Sequence, residues 1–243
     1  MSTTLFSSAG QSTVHGPWHL AVFDLDGTLV DTRRDLIEAL DDAALPASLD
    51  PAARERAANA LHLGMHAMAN AALGHAAEDG GTAAHFSDRY LKAYAARIAR
   101  HSRPYQGVED TLEWLQARGV QLALCSNKPE AMSRRLLDEL HLLQWFPVIV
   151  GPDSTGWAKP HPEPLHHAAF QSGVSRSRTV LIGDSSIDLR CAQAAGIDCW
   201  MFTGGYDREA ALRAPLIFER FEQLREPRHW AALREPLARR RSS

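Results

Sequence analysis

The sequence predicts an α/β fold built on an open sheet of parallel strands. Two observations predict it. Short apolar runs recur along the chain, each followed by polar or glycine punctuation, and helical patterns separate most of them. A long interval without a strand pattern interrupts this alternation once, after the first run, and predicts a helical insertion there.

The first run is His19–Phe23, rich in apolar residues and short enough for a strand buried on both faces. From Asp31 to Arg103 no strand pattern is present. Helical stretches occupy Leu36–Leu45, Pro51–Leu63, Met65–Ala77 and Ala83–Arg100, with Pro46, Gly64 and Gly80-Gly81 as punctuation. Abundant alanine favours helix throughout this interval. Pro104 marks the return to the sheet. Val108–Arg118 then sets Val108, Leu112 and Leu115 on one face and stops at Gly119, a helix C-terminal signal. Val120–Cys125 is the next strand. Pro129–Leu143 opens on proline and carries Met132, Leu136, Leu137 and Leu140 at helical spacing. Val148–Val150, Thr179–Ile182 and Cys199–Phe202 are further strands, and the helix Leu189–Ala195 ends at Gly196. The expected division is a polar, disordered tail over 1–17, a core over 18–32 and 104–224, a helical cap over 33–103, and a basic tail over 225–243.

At 243 residues, with 45% hydrophobic and 23% charged residues, the chain is long enough to bury a sizeable core and is not globally disordered. Lysine and arginine total 26 against 29 aspartate and glutamate, a formal charge of −3 that gives no grip on nucleic acid. No apolar stretch approaches the ~20 residues of a membrane helix. Three scattered cysteines, Cys125, Cys191 and Cys199, speak against a disulfide framework or a thiolate metal site. The N-terminus has neither a basic start nor an apolar run, so it is not a secretory signal, and a cytoplasmic location is expected.

Ligands of open α/β sheets bind beyond the carboxyl ends of the strands. The first strand is followed by Asp24, Leu25, Asp26, Gly27 and Thr28, and the second by Ser126, Asn127 and Lys128. Lys159-Pro160-His161-Pro162 lies beyond the third and Gly183-Asp184-Ser185-Ser186-Ile187-Asp188 after the fourth. Parallel strands would gather Asp24, Asp26, Asp184 and Asp188 at one edge with a lysine and a Ser-Asn pair. Crowded carboxylates need a proton or a cation, and oxygen-only ligands favour magnesium. A lysine and a hydroxyl beside such an ion suit phosphate oxygens. Singly, each feature has a plain reading: Asp-Gly is a common turn, Ser126 a helix cap, Lys159 a surface lysine. Their joint placement at successive strand ends points to phosphoryl transfer.

These residues resemble a known family. Phe23-Asp24-Leu25-Asp26-Gly27-Thr28-Leu29-Val30-Asp31-Thr32 is similar to the first motif of haloacid dehalogenase superfamily phosphatases. Ser126-Asn127-Lys128-Pro129, Lys159-Pro160-His161-Pro162-Glu163-Pro164-Leu165 and Gly183-Asp184-Ser185-Ser186-Ile187-Asp188 resemble the other three. The likeness continues through Cys191–Gly196 and Thr203-Gly204-Gly205-Tyr206. Within the superfamily the phosphoglycolate phosphatase branch is most similar, by Asn127-Lys128-Pro129, by Pro104-Tyr105-Gln106-Gly107-Val108 and by the late Gly-Tyr.

The resemblance implies a Rossmann-like core with a helical cap inserted after the first strand, and a phosphatase of small phosphorylated metabolites. Asp24 would be the nucleophile that forms an aspartyl-phosphate, and Asp26 the acid and base, oriented by Thr28. Ser126 and the amide of Asn127 would hold phosphate oxygens, and Lys159 would offset charge. Magnesium would be held by Asp24, Asp184 and the Asp26 carbonyl, with Asp188 tethering Lys159 or a metal water. 2-Phosphoglycolate is the first expected substrate, with sugar or amino-sugar phosphates and a β-phosphoglucomutase-like reaction as alternatives. Asp26 argues against carbon–halogen cleavage, since the superfamily's dehalogenases lack it. A monomer or homodimer is expected.

The expected cap departs from the branch, which usually carries a Gly-x-Gly loop; Leu63-Gly64-Met65-His66 has one glycine. A carboxylate on the substrate should meet a cation, for which Arg33, Arg34, His62, His66 and Arg97 are candidates. Four-residue spacing would put His62 and His66 on one helix face, where plain packing is the simplest reading, substrate contact the next, and a metal role would need a third ligand. The expected substrate-binding residues are Thr28, Ser126, Asn127 and, from the cap, His66.

Overall fold

The computed structural model describes residues 17–44 and 49–230. Residues 1–16 of the polar tail, the Pro46 punctuation and the basic stretch after Trp230 lie outside the described residues.

The core is a six-stranded parallel sheet. In chain order its strands are β1 (Leu20–Phe23), β4 (Gln121–Cys125), β5 (Val148–Val150), β6 (Thr179–Gly183), β7 (Asp198–Phe202) and β8 (Leu216–Phe218), and in space they run β5-β4-β1-β6-β7-β8. β1 is central, with Phe23 opposite Leu124 of β4 and Ile182 of β6. The chain leaves β1 toward β4 and β5, then crosses to β6 on the other side. That reversal opens a crevice at the carboxyl ends of the strands flanking β1.

Alternation along the strands fills two apolar layers although both faces are buried. Leu20, Val22, Ala123, Cys125 and Leu181 face the helices α8 (Glu163–Gln171) and α9 (Ser186–Ala195) through Leu165, Ala168, Cys191 and Ala192. Ala21, Phe23, Leu122, Leu124 and Ile182 face the other way, toward α5 (Val108–Ala117) and α6 (Glu130–Glu139). The expected strands are present, each within a residue at either end.

Two additions were not read from the sequence. A two-stranded antiparallel ribbon, β2 (Val30–Asp31) with β3 (Arg103–Pro104), brackets the helical interval. Two residues per strand are too few to show a period. β8 is only three residues long, between Pro215 and Glu219, too short for an apolar pattern to stand out.

Between β2 and β3 lie α1 (Arg33–Ala44), α2 (Pro51–Asn59), α3 (Met65–Leu73) and α4 (Gly80–Ala95). α1 packs on α4 and α2 on α3. Asp50 caps α2 through the amide of Ala53 at 2.8 Å, with Pro51 at the first helical position. Three readings are corrected. Gly80 and Gly81 begin α4, because Asp79 caps it by accepting from the Gly81 amide and the Thr82 hydroxyl. α3 stops at Leu73, since Gly74 adopts φ 59°. His62 and His66 do not share a helix: His62 sits in a short 3₁₀ turn, Leu61–Leu63, and Gly64 at φ 93° breaks the chain before α3.

At the other end, Trp230 falls in the expected basic tail yet is 5% exposed and packs edge-on against Trp18, its indole donating to the Leu224 carbonyl at 2.6 Å. The packed core therefore reaches Trp230. Among the described residues, no helix is long and apolar enough to cross a membrane.

Candidate active site

The turn after β1 sets the first two carboxylates. Asp24 continues the strand, its amide donating to the Ile182 carbonyl at 2.8 Å. Gly27 at φ 86° then turns the chain, and the Leu25 carbonyl accepts from the amides of Leu29 and Val30, both at 3.0 Å. Leu25 is fully buried, so Asp24 and Asp26 are left at the edge.

Lys159 reaches this edge from the loop between the short α7 (Pro152–Thr155) and α8. Its Nζ lies 2.7 Å from Asp24 Oδ1 and 2.6 Å from Asp188 Oδ1. Asp188, on the first turn of α9, is fully buried, and its Oδ2 accepts from the Ser185 hydroxyl at 2.7 Å and the Ser185 amide at 3.1 Å. Asn127 fixes the lysine loop from the opposite side: its side-chain carbonyl accepts from the Lys159 amide at 2.8 Å and its amide donates to the Lys159 carbonyl at 2.9 Å. Ser126 is buried beside it, and its Oγ accepts from the Lys128 amide at 3.2 Å.

Asp184 lies at the end of β6, 1% exposed. Oδ1 accepts from the Thr28 hydroxyl at 2.7 Å and Oδ2 from the Tyr206 amide at 2.7 Å. A Cβ on Gly27 would sit 2.5 Å from Asp184 Oδ2, and one on Gly205 2.3 Å from Asp184 Cβ. Glycine at both positions is what lets the two loops close around this carboxylate.

Three buried carboxylates against one ammonium leave negative charge uncompensated. Burial pushes the Asp24 carboxyl up to about 7, against the opposing pull of Lys159. Burial raises the Asp184 carboxyl well above its ordinary range, and the Asp24 and Asp188 charges add to it. Burial would lower Lys159, but Asp188 and Asp24 outweigh it and hold the ammonium protonated. Oxygens of Asp24, Asp184 and Asp188 lie within 4.8 Å of one another. Each of the three also has donors within the protein: Lys159 bridges Asp24 and Asp188, and Thr28 and the Tyr206 amide hold Asp184. An all-oxygen donor set with raised carboxyl pKa values and a glycine-built cradle fits a hard divalent ion.

A cleft opens above these groups. Asp24, Asp26, Ser126, Asn127, Lys128 and Lys159 line it from the sheet, and Leu61, His62, Gly64 and Met65 from the helical block. Gly64 comes close enough that a Cβ there would lie 3.3 Å from Asn127 Cβ. The sheet therefore gathers Asp24, Asp26, Ser126, Asn127, Lys159, Asp184 and Asp188 as expected.

Two residues are placed otherwise. Thr28 is fully buried and serves Asp184; Asp26 Oδ1 instead accepts from the Thr32 hydroxyl at 2.6 Å. The tight turn at Gly27 aims Thr28 across toward β6 and lets Thr32 fold back. His66 is exposed and does not line the cleft, because the Gly64 break rotates α3 away; His62 lines it. Of the other cations considered, Arg34 and Arg97 are held by Glu38, and Arg33 lies 5.0 Å over the Tyr206 ring. Lys128 stands in the second strand-end run, but the sequence assigns it no role. Its Nζ donates to Asp26 Oδ1 at 2.5 Å, and nothing in the local sequence separates it from a surface lysine.

A family model described as haloacid dehalogenase-like hydrolase matches residues 21–202. A phosphoglycolate phosphatase of Pseudomonas fluorescens (strain Pf0-1) is 35% identical over 204 residues, covering 82% of this chain and 75% of that protein. A phosphoglycolate phosphatase of Rhodospirillum rubrum is 36% identical over 224 residues, covering 88% and 91%. The solved structure of a predicted phosphoglycolate phosphatase from Haemophilus somnus 129PT superposes with a TM-score of 0.77 at 27% identity, covering 86% of this chain and 97% of that one. The chain belongs to the haloacid dehalogenase-like hydrolase family.

Proposed function

We propose that this hydrolase cleaves a small phosphate monoester, 2-phosphoglycolate first among candidates, through a phosphorylated Asp24. One observation carries the reading: Asp24 is held by Lys159 at 2.7 Å at the floor of a cleft, beside a second carboxylate, Asp26, two residues on. The names of the relatives support the substrate.

In this reading an Asp24 carboxylate oxygen attacks phosphorus and the bond to the leaving oxygen breaks. Asp26 gives its proton to that oxygen. It then takes a proton from the water that attacks the aspartyl-phosphate, so each half of the reaction leaves it ready for the other. Ser126 Oγ and the Asn127 amide bind phosphate oxygens. Lys159 neutralises both Asp24 and the incoming phosphoryl group, and Asp188 keeps its ammonium in place. Thr28 and Tyr206 hold Asp184. Asp24, Asp184 and the Asp26 carbonyl would hold magnesium, which when bound neutralises the crowded carboxylates and phosphate oxygens.

The α1–α4 block acts as a cap. It lays His62 and the Gly64 turn over the cleft, where they select the leaving group and exclude water. His62 takes the place given to His66 in recognising a substrate carboxylate.

A panel of phosphorylated metabolites assayed for kcat/KM tests this. Inorganic phosphate released fastest from 2-phosphoglycolate, with magnesium and no added bisphosphate, is the expected outcome. Preference for a hexose phosphate that needs an activating bisphosphate would replace it with a mutase.

A further inference from the structure

Lys128 lies at the edge of the cleft and is 1% exposed. Taking such a group out of water costs several kcal/mol unless partners repay it. Its partners come from two distant parts of the chain. Nζ donates to Asp26 Oδ1 at 2.5 Å and to the Tyr94 hydroxyl at 2.8 Å, and lies 4.7 Å from the centroid of the Tyr94 ring. Tyr94 is fully buried on the last turn of α4. One ammonium thus ties the loop after β4 to the second carboxylate after β1 and to the helical block.

Thr32 donates to the same oxygen, Asp26 Oδ1, at 2.6 Å. Two donors on one carboxylate oxygen fix the plane of the group and leave Oδ2 to carry the transferable proton.

We propose that Lys128, braced by Tyr94, is a positioning residue that orients Asp26 for proton transfer and couples that transfer to the seating of α4 on the core. The proposal rests on the reading of Asp26 as acid and base.

Leaving groups that need a proton separate positioning of Asp26 from simple support of the fold. Lys128→Met, Tyr94→Phe and Asp26→Asn are assayed with magnesium on 2-phosphoglycolate, whose alkoxide must be protonated, and on p-nitrophenyl phosphate, whose phenolate leaves unaided. For Lys128→Met the expected kcat falls about 100-fold on 2-phosphoglycolate and under about 10-fold on p-nitrophenyl phosphate. KM should stay within about 3-fold on both. Tyr94→Phe, which removes a single oxygen, should show the same selectivity at about 3–10-fold and decides the matter if Lys128→Met does not fold. Equal kcat losses on the two substrates, or a rise in KM with kcat kept, would overturn the proposal and make Lys128 a fold or substrate-binding group. If Asp26→Asn itself lacks the selectivity, the acid–base reading of Asp26 fails first, and the proposal with it.

Discussion

The Thr28 hydroxyl donates to Asp184 Oδ1 at 2.7 Å, linking the turn after the first core strand to the end of the fourth. Both residues are buried, so Thr28→Val strands one carboxylate oxygen without its donor. The expected cost is about 1–3 kcal/mol of stability. Magnesium affinity should fall about 10–100-fold, because the donor orients a ligand. Titration of activity with magnesium, beside a thermal melt, checks both.

Lys159→Met leaves Asp24 and Asp188 buried without their shared cation. Breaking such a pair costs about 3–5 kcal/mol. Turnover should drop at least about 100-fold, since the charge opposite the phosphoryl group is gone. Steady-state kinetics and denaturant unfolding of the same preparation give the two numbers.

The raised Asp24 carboxyl makes stability depend on pH in the metal-free protein. Its folded pKa, about 7, lies above the ordinary 3.8, so between these values the folded state holds a proton that the unfolded state has released. Stability therefore falls as pH rises through that window. In chelator, Asp24→Asn should melt at least about 2 °C above the parent at pH 8, and the gain should shrink toward pH 4. A gain that does not change with pH would contradict the assignment.

His62 lines the cleft and His66 does not. His62→Ala should raise KM for 2-phosphoglycolate about 10-fold and leave p-nitrophenyl phosphate within about 3-fold, as expected for a contact to the substrate's carboxylate. His66→Ala should match the parent on both, and kinetics on the two substrates decide between the histidines.

How far the sequence carried depends on whether the information is local. Five strands of the sheet, and Asp24, Ser126 and Asp184 directly at their ends, are legible because an apolar run followed by a polar loop needs no knowledge of the rest of the fold; Lys159 comes later, past the short helix that follows β5. Asp188 is legible for the same reason, lying four residues beyond Asp184. Partners across the fold are not. Thr28 and Thr32 both follow Asp26 closely, and only the turn at Gly27 decides that the first reaches Asp184 and the second Asp26. The histidine pair fails on one glycine: Gly64 at φ 93° interrupts the helix that the four-residue spacing assumes. Lys128 pairs with residues 102 and 34 positions away, beyond any periodicity. Trp230 did carry a signal, since a tryptophan within a basic stretch is a reason to expect burial.

The most direct measurement is a rapid acid quench during turnover of a phosphate-labelled substrate, followed by mapping of the labelled peptide. The account predicts a hydroxylamine-labile phosphoryl group on Asp24 that is absent from Asp24→Asn, together with loss of turnover in that variant. Label on another residue, or an Asp24→Asn enzyme that still releases phosphate at the parent rate, would contradict it.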